Sequence, residues 1–404
     1  MKQSYYNLAD PDFLINPAPM LTQMRAEGPL VKIKLPVVGR LWATTTHAAT
    51  SEVVKGNDRF FLTGQGAGLK KKGNAAMPWW APKSFRALAD NMLGKDDPEH
   101  RRLRKLVDQA FARRGIRDMR GDIAMLARSH LNTAGHGSVD IVPVFCRSFP
   151  LSVIAELLGV PDDKRAQFAK AAGTLGEFDG PMSIFRMLRA VSKLQNLVRD
   201  MVNDMRTNPQ AGLIADLIDV EAQGDKLTEN ELVSMVFLLL FAGFETTTNL
   251  IAGSIIALDQ NPDQKAWLFA DFDGRIEAAT EELCRFVSSV AGTKPRIAAH
   301  DTTIDGQALK KGDKIMALPV AANYDPAVFD GPEKLQLDRF PNPHLAFSAG
   351  THFCLGMQLA RVELQEALRA LNAHAPNLKV ADDPPQYARR PGHRALKALN
   401  VNLA

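Results

Sequence analysis

A run from Thr228 to Gln260 passes without a proline, and it begins at Thr228-Glu229-Asn230-Glu231. That spacing is a capping box, in which the threonine hydroxyl and the second glutamate each satisfy a backbone donor beside the other. The pattern predicts a helix of roughly 30 residues, about 45 Å long, which crosses an entire domain. Its most apolar stretch, Met235 to Phe244, is about half of the roughly 20 residues that span a bilayer, and Glu245 ends it. The expectation is a buried core helix and no membrane association.

Around this rod the chain reads as mainly helical. Segments near 98–112, 117–134, 145–159, 162–206 and 211–221 carry helical periodicity and are broken by Gly, Pro and Asn. Leu30 to Leu35 and Leu41 to Thr45 flank a Val38-Gly39-Arg40 turn and predict a small antiparallel sheet. After a helix over Arg275 to Val290, strand-like pieces near 294–305 and 314–320 lead into an irregular, Pro-rich run from Tyr324 to Thr351. A run of that length inside a compact fold is generally functional. No linker, repeat or low-complexity tract divides the 404 residues, so one domain over 1–404 is expected.

Composition narrows the function classes. Lys plus Arg number 49 against 45 Asp plus Glu, a net charge of +4, which is too small to suggest nucleic acid as the partner. The three cysteines, Cys146, Cys284 and Cys354, stand far apart and form no CxxC pair, which fits a reducing cytoplasm and argues against zinc. The N-terminus has no signal-like apolar region, so the folded protein is expected to start directly, as a monomer in the cytoplasm.

The irregular run ends at Phe347-Ser348-Ala349-Gly350-Thr351-His352-Phe353-Cys354-Leu355-Gly356, with helical periodicity from Leu355 onward. A cysteine before a helix N-terminus is favoured as thiolate by free backbone N–H groups and the macrodipole. A thiolate so placed can ligate iron, although most lone cysteines are inert and buried. Phe347, Gly350, His352, Cys354 and Gly356 together match the proximal haem loop of the cytochrome P-450 family, and the x-x-L-A-R continuation fits as well. A second passage, Ala242-Gly243-Phe244-Glu245-Thr246-Thr247 in the long helix, resembles that family's oxygen-activating element.

The resemblance implies a single-domain cytochrome P-450 fold, mainly α with small β-sheets, that binds haem b and acts as a soluble bacterial monooxygenase. It implies Cys354 as iron ligand, and Thr246 with Glu245 as the proton relay for cleaving dioxygen. Gly243, beside Ala242, costs a helix roughly 1 kcal/mol, which suggests a packing reason or room for the cofactor or a diatomic. Mid-helix threonines also back-bond to their own helix, which is the bland alternative for Thr246. His100, Arg104, Arg296 and His352 are the implied propionate ligands. Glu282 and Arg285, three apart on one helix, are implied to join Arg339 in a buried structural network; on residues alone they are a surface pair worth about 0.2 to 0.5 kcal/mol.

The implied substrate lining is Leu238, Phe241 and Ala242 on the long helix, Trp79, Trp80 and Phe85, Gly292 and Thr293, and the turn near His393. It is largely apolar, which suits a hydrophobic small molecule. Two family departures stand out: Ser348 where Gly is frequent, and Tyr324 where Arg is frequent. Without a dinucleotide motif or an iron–sulfur cysteine cluster, electrons must come from a separate ferredoxin or flavodoxin. The basic cluster of Arg101, Arg102, Lys105, Arg113, Arg114 and Arg117 would steer an acidic donor, or it is ordinary surface charge. The alternatives are a haem-thiolate peroxygenase that uses peroxide, and a non-catalytic haem-binding protein.

Overall fold

The computed structural model describes residues 5–36, 38–69, 91–113, 115–116, 118–174, 181–222, 227–390 and 392–404. It is mainly α with small sheets, and its chain divides into two compact units: one of Met1–Trp80, Asn249–Met357 and Asn377–Asn402, the other of Ala81–Thr248, Gln358–Pro376 and Leu403–Ala404.

The first unit contains a sheet whose strands run in the order Leu30–Leu35, Gly39–Thr44, Lys314–Met316, Arg296–Ala298 and Phe60–Phe61. The expected hairpin pairs antiparallel from Leu30 with Thr44 to Leu35 with Gly39. Lys314–Met316 then adds parallel to the hairpin, which only a long crossover allows. The alternate residues Val31, Ile33, Leu35, Leu41 and Ala43 are buried, and they pack with Phe13, Leu21, Met24, Met316 and Leu318. The helix Phe272–Val287 is capped by Asp271, whose side chain accepts from Gly274 N, and it ends at Ser288 with φ +45°. The irregular run from Tyr324 contains no regular element until the short 3₁₀ turn Gly350–His352.

The second unit is helical. Glu99–Ala112, Arg120–Ala134, Ser148–Leu158, Asp162–Thr174, Pro181–Thr207, Leu213–Ala222 and Met357–His374 are its main elements. The single stretch expected over 162–206 is two helices, because Pro181 lacks an N–H and fits only a first helical turn.

The long helix spans Glu229–Gln260, and the capping box forms as predicted: Glu231 N donates to Thr228 Oγ1 at 3.2 Å and Thr228 N to Glu231 Oε2 at 2.8 Å. Its apolar stretch is longer than Met235 to Phe244 alone. An 18-residue window of it is apolar enough to cross a membrane, and 72% of that window is buried inside the protein.

Candidate functional site

In the first unit the cysteine loop is closed by its own backbone. Ser348 N donates to Leu345 O at 2.9 Å, Phe353 N to Gly350 O at 3.1 Å and Cys354 N to Phe347 O at 3.0 Å. The loop tip presses on the end of the helix His47–Lys55. A Cβ at Gly350, where φ is +72°, would lie 2.7 Å from Val54 O, so both sterics and dihedral demand glycine. Gly356 lies in the turn between Cys354 and the helix Met357–His374. Cys354 is partly exposed, whereas Cys146 and Cys284 are buried, and burial pushes the Cys146 thiol well up.

Arg296 is buried and joins the same region. Its Nη1 donates to Val53 O at 3.1 Å and to Asn57 Oδ1 at 3.4 Å, and Thr351 Oγ1 donates to that same Asn57 oxygen at 3.1 Å. One asparagine thus ties Arg296 to the turn that carries His352. Asn57 is invisible to motif reading, because its partners lie more than two hundred residues away in sequence.

Behind the loop sits a fully buried ionic network. Arg285 grips Glu282 bidentately, Nε to Oε2 and Nη2 to Oε1 at 2.7 Å each, and Arg339 Nε reaches the same carboxylate at 3.1 and 3.2 Å. Glu282 also accepts from Gln336 N and Asn342 Nδ2. The remaining guanidinium donors close on carbonyls of Asn323 and of the irregular run that follows it: Arg285 on Asn323, Pro332 and Lys334, Arg339 on Asp330, Gly331 and Lys334. Asn323, itself buried, accepts Leu345 N at 2.7 Å and donates to Ser288 Oγ at 2.9 Å, so the network reaches the start of the cysteine loop. Fork geometry and full hydrogen bonding are what permit charges in an interior. Ser348 adopts φ +60°, the left-handed conformation that explains why glycine is frequent there.

A cleft of about 310 Å³ in this unit brings Gly292, Thr293 and His393 together. Ala291 N and Gly292 N donate to Gly392 O at 2.9 and 3.1 Å, and Thr293 N donates to Ala317 O at 2.9 Å. Trp79, Trp80 and Phe85 lie outside the described residues.

In the second unit, Leu238, Phe241, Ala242, Gly243, Glu245 and Thr246 lie on the long helix, with Phe241 edge-on to Phe244 at 6.1 Å. Glu245 is buried. Thr246 Oγ1 donates to Ala242 O at 2.8 Å, and Thr247 and Thr248 back-bond likewise to Gly243 and Phe244. The bland arrangement is therefore the one adopted, although a hydroxyl that donates keeps its lone pairs for accepting. For Gly243 the packing reason holds: a Cβ there would meet Ile154 Cδ1 at 2.9 Å.

His100 is buried on the helix Glu99–Ala112 with Nδ1 3.6 Å from Asp97, and burial holds its pKa below the usual histidine value. Arg104 Nε contacts Asp108 at 3.0 and 3.2 Å. Of the basic cluster, Arg101 pairs with Asp97 and stays exposed, Arg102 pairs with Glu231 and is partly buried, and Lys105 and Arg113 are exposed; Arg114 and Arg117 lie outside the described residues.

Sequence reading missed Glu363 on the helix Met357–His374. It is buried, neither oxygen accepts a well-formed hydrogen bond among the described residues, and burial raises its pKa well above the usual range, with the nearby Thr247 hydroxyl acting in the other direction. Its place nine positions after Cys354, within an otherwise amphipathic helix, carries no signal of that isolation.

A single partly exposed thiol on a closed loop, a buried arginine tied to that loop and a buried glutamate–arginine lock behind it fit the class of haem-thiolate proteins, in which a cysteine holds the prosthetic group. Comparison with known proteins agrees. The cytochrome P450 family model matches residues 179–371. The polyketide biosynthesis cytochrome P450 PksS of Bacillus subtilis (strain 168) is 37% identical over 321 residues, 78% of each chain. The solved structure of PksS superposes with a TM-score of 0.88 at 32% identity, covering 99% of this chain and 100% of that one. P450BioI in complex with a hexadec-9Z-enoic acid ligated acyl carrier protein gives 0.85 at 30% identity, covering 97% and 99%. A myxobacterial cytochrome P450 in complex with myristic acid gives 0.87 at 29% identity, covering 98% of each chain. The chain belongs to the cytochrome P450 family. It is a monooxygenase whose cofactor is haem b bound through a cysteine thiolate, and it uses dioxygen, a small-molecule substrate and a redox partner.

Proposed function

We propose that Cys354 is the thiolate ligand of the haem iron, that His100, Arg104, Arg296 and His352 receive the propionates, and that Thr246 and Glu245 manage protons. The observation that carries this reading is the accessibility of Cys354 alone among the three thiols, on a loop held by the buried lock. When bound, haem supplies the redox chemistry by which one atom of dioxygen enters the substrate and the other leaves as water. The chain's own residues do the rest. Backbone bonds at Ser348, Phe353 and Cys354 fix the sulfur, and Glu282, Arg285 and Arg339 keep the loop from relaxing. Ala242, Gly243, Phe347, Gly350 and Gly356 shape the cofactor's surroundings. Thr246 Oγ1, anchored on Ala242 O, is placed to accept a hydrogen bond and pass a proton, with buried Glu245 resupplying it.

The substrate is an apolar or amphipathic small molecule; Gly292, Thr293 and His393 in the first unit, and Leu238 and Phe241 in the second, are the described residues assigned to its recognition. The acyl ligands of P450BioI and of the myxobacterial relative support an extended apolar body. The electron donor is an acidic ferredoxin or flavodoxin that docks on a face including Lys105 and Arg113, both exposed. The protein works as a cytoplasmic monomer, a single functional domain with no membrane attachment, a reading supported by the burial of its most apolar helix.

The test is the absorption spectrum of the reduced, carbon-monoxide-bound protein. Wild type should show the strongly red-shifted Soret band of thiolate ligation, and Cys354→Ala should lose it. A variant spectrum identical to wild type overturns the assignment of Cys354.

A further inference from the structure

The cleft that brings Gly292, Thr293 and His393 together has apolar walls contributed by Leu35, Pro36, Val38, Pro295 and Met316, and one cation, Lys294. Among the described residues, Lys294 has no ion pair, no side-chain hydrogen bond and no aromatic face beneath its ammonium. The residue retains partial exposure, yet desolvation alone brings its pKa down to about 8, with no carboxylate acting in the other direction. A lysine in this condition is unusual, because a withdrawn ammonium is costly unless a counter-charge is supplied. Lys310, by contrast, is exposed and paired with Asp301 at 2.9 Å. Ligand sites combine apolar walls with a few polar groups that fix orientation, and here Lys294 is a cation with no counter-charge among the described residues.

We propose that Lys294 anchors the carboxylate of an amphipathic organic acid, whose apolar body lies along the walls of this cleft. The proposal rests on the monooxygenase reading above and narrows its substrate class from hydrophobic molecules to apolar-tailed acids. A carboxylate has two sources in such a protein, the substrate and the haem propionates. The substrate is favoured because Arg296, the propionate candidate two residues on, does not line this cleft and turns its guanidinium to Val53 O and Asn57. Binding moves no covalent bond. The acid exchanges water for the ammonium, and its tail exchanges water for Leu35, Val38 and Met316.

The experiment is an optical titration of the haem-loaded protein near neutral pH with straight-chain saturated acids, octanoic through hexadecanoic, and with their methyl esters, in wild type and Lys294→Met. The reduced carbon-monoxide spectrum and the haem content are recorded on the same samples. The expected result is that wild type binds at least one acid more tightly than its ester. Lys294→Met should weaken the acid by about tenfold or more, equivalent to about 1.4 kcal/mol, leave the ester within about twofold, and keep haem content unchanged. Equal binding of acid and ester by wild type, or the absence of any acid response, overturns the proposal. Loss of haem from Lys294→Met with acid affinity retained also overturns it, by assigning the lysine to a propionate. A wild-type protein lacking the thiolate spectrum refutes the monooxygenase reading instead, which keeps the two failures distinct.

Discussion

Replacing Glu282 with Gln tests the buried lock where its electrostatics are most concentrated. The side chain keeps its size, but the two guanidiniums of Arg285 and Arg339 lose their shared counter-charge while remaining where almost no water reaches. One of the oxygens that accept Arg285 at 2.7 Å becomes an NH₂, so a donor faces a donor. Breaking a buried pair by removing one partner costs about 3 to 5 kcal/mol. At the usual unfolding entropy per residue, that lowers Tm by about 4 to 6 °C for 404 residues that unfold in one transition. Its neighbour Glu281 provides the control: it is partly exposed and pairs with His344 at 3.2 Å, so Glu281→Gln should cost under about 1 kcal/mol. Both variants are compared with wild type by calorimetry and urea titration at one pH. If Glu282→Gln falls within about 1 kcal/mol of Glu281→Gln, the idea that this carboxylate neutralises two otherwise stranded cations is wrong.

Three further outcomes are expected. Ser348→Gly should stabilise the fold by about 0.5 to 1 kcal/mol in urea melts by relieving φ +60°, less the added freedom of the unfolded chain; a loss of stability would contradict it. Burial raises the folded pKa of Glu363 above its unfolded one, so its contribution to stability is full below about pH 4 and declines as pH rises toward the raised folded value. Glu363→Gln should therefore be less sensitive than wild type to a rise from pH 5 to pH 8, and identical pH slopes in urea midpoints would sink the argument. Thr246→Ala should uncouple electron consumption from product formation in a dioxygen-using monooxygenase, whereas unchanged coupling would favour a peroxide-driven reaction; the measurement is product formed per reducing equivalent consumed.

What the sequence disclosed follows the range of the forces involved. The capping box at Thr228 is written within four residues and forms as predicted, and the hairpin from Leu30 to Thr44 declares its register through alternation. The cysteine loop is equally local. Glu282 and Arg285 look like a minor surface pair in isolation, and only the resemblance to a family indicated burial, because the carbonyls that complete the network lie tens of residues downstream. Asn57 and Glu363 were silent for the same reason, since the surroundings that give them weight are supplied by distant chain. The back-bonding of Thr246 and the seat of Ile154 against Gly243 were both open alternatives that residue spacing alone could not decide. Charge clustering was equally undecided by adjacency, since the pairing of Arg101 with Asp97 and of Arg102 with Glu231 depends on the fold.

The two arginines of the lock donate their hydrogen bonds in this stretch to main-chain oxygens of residues 323, 330, 331, 332 and 334, and Arg285 also lies over the rings of Tyr324 and Phe329, 5.8 and 5.3 Å from their centroids. A peptide carbonyl is the same whatever residue carries it, so point changes at positions 330, 331, 332 and 334 are tolerated by the clasp while a single inserted or deleted residue is not. What evolution must preserve there is the count of peptide units between anchor points, and drift in spelling at constant length is the mark such a tether leaves among descendants.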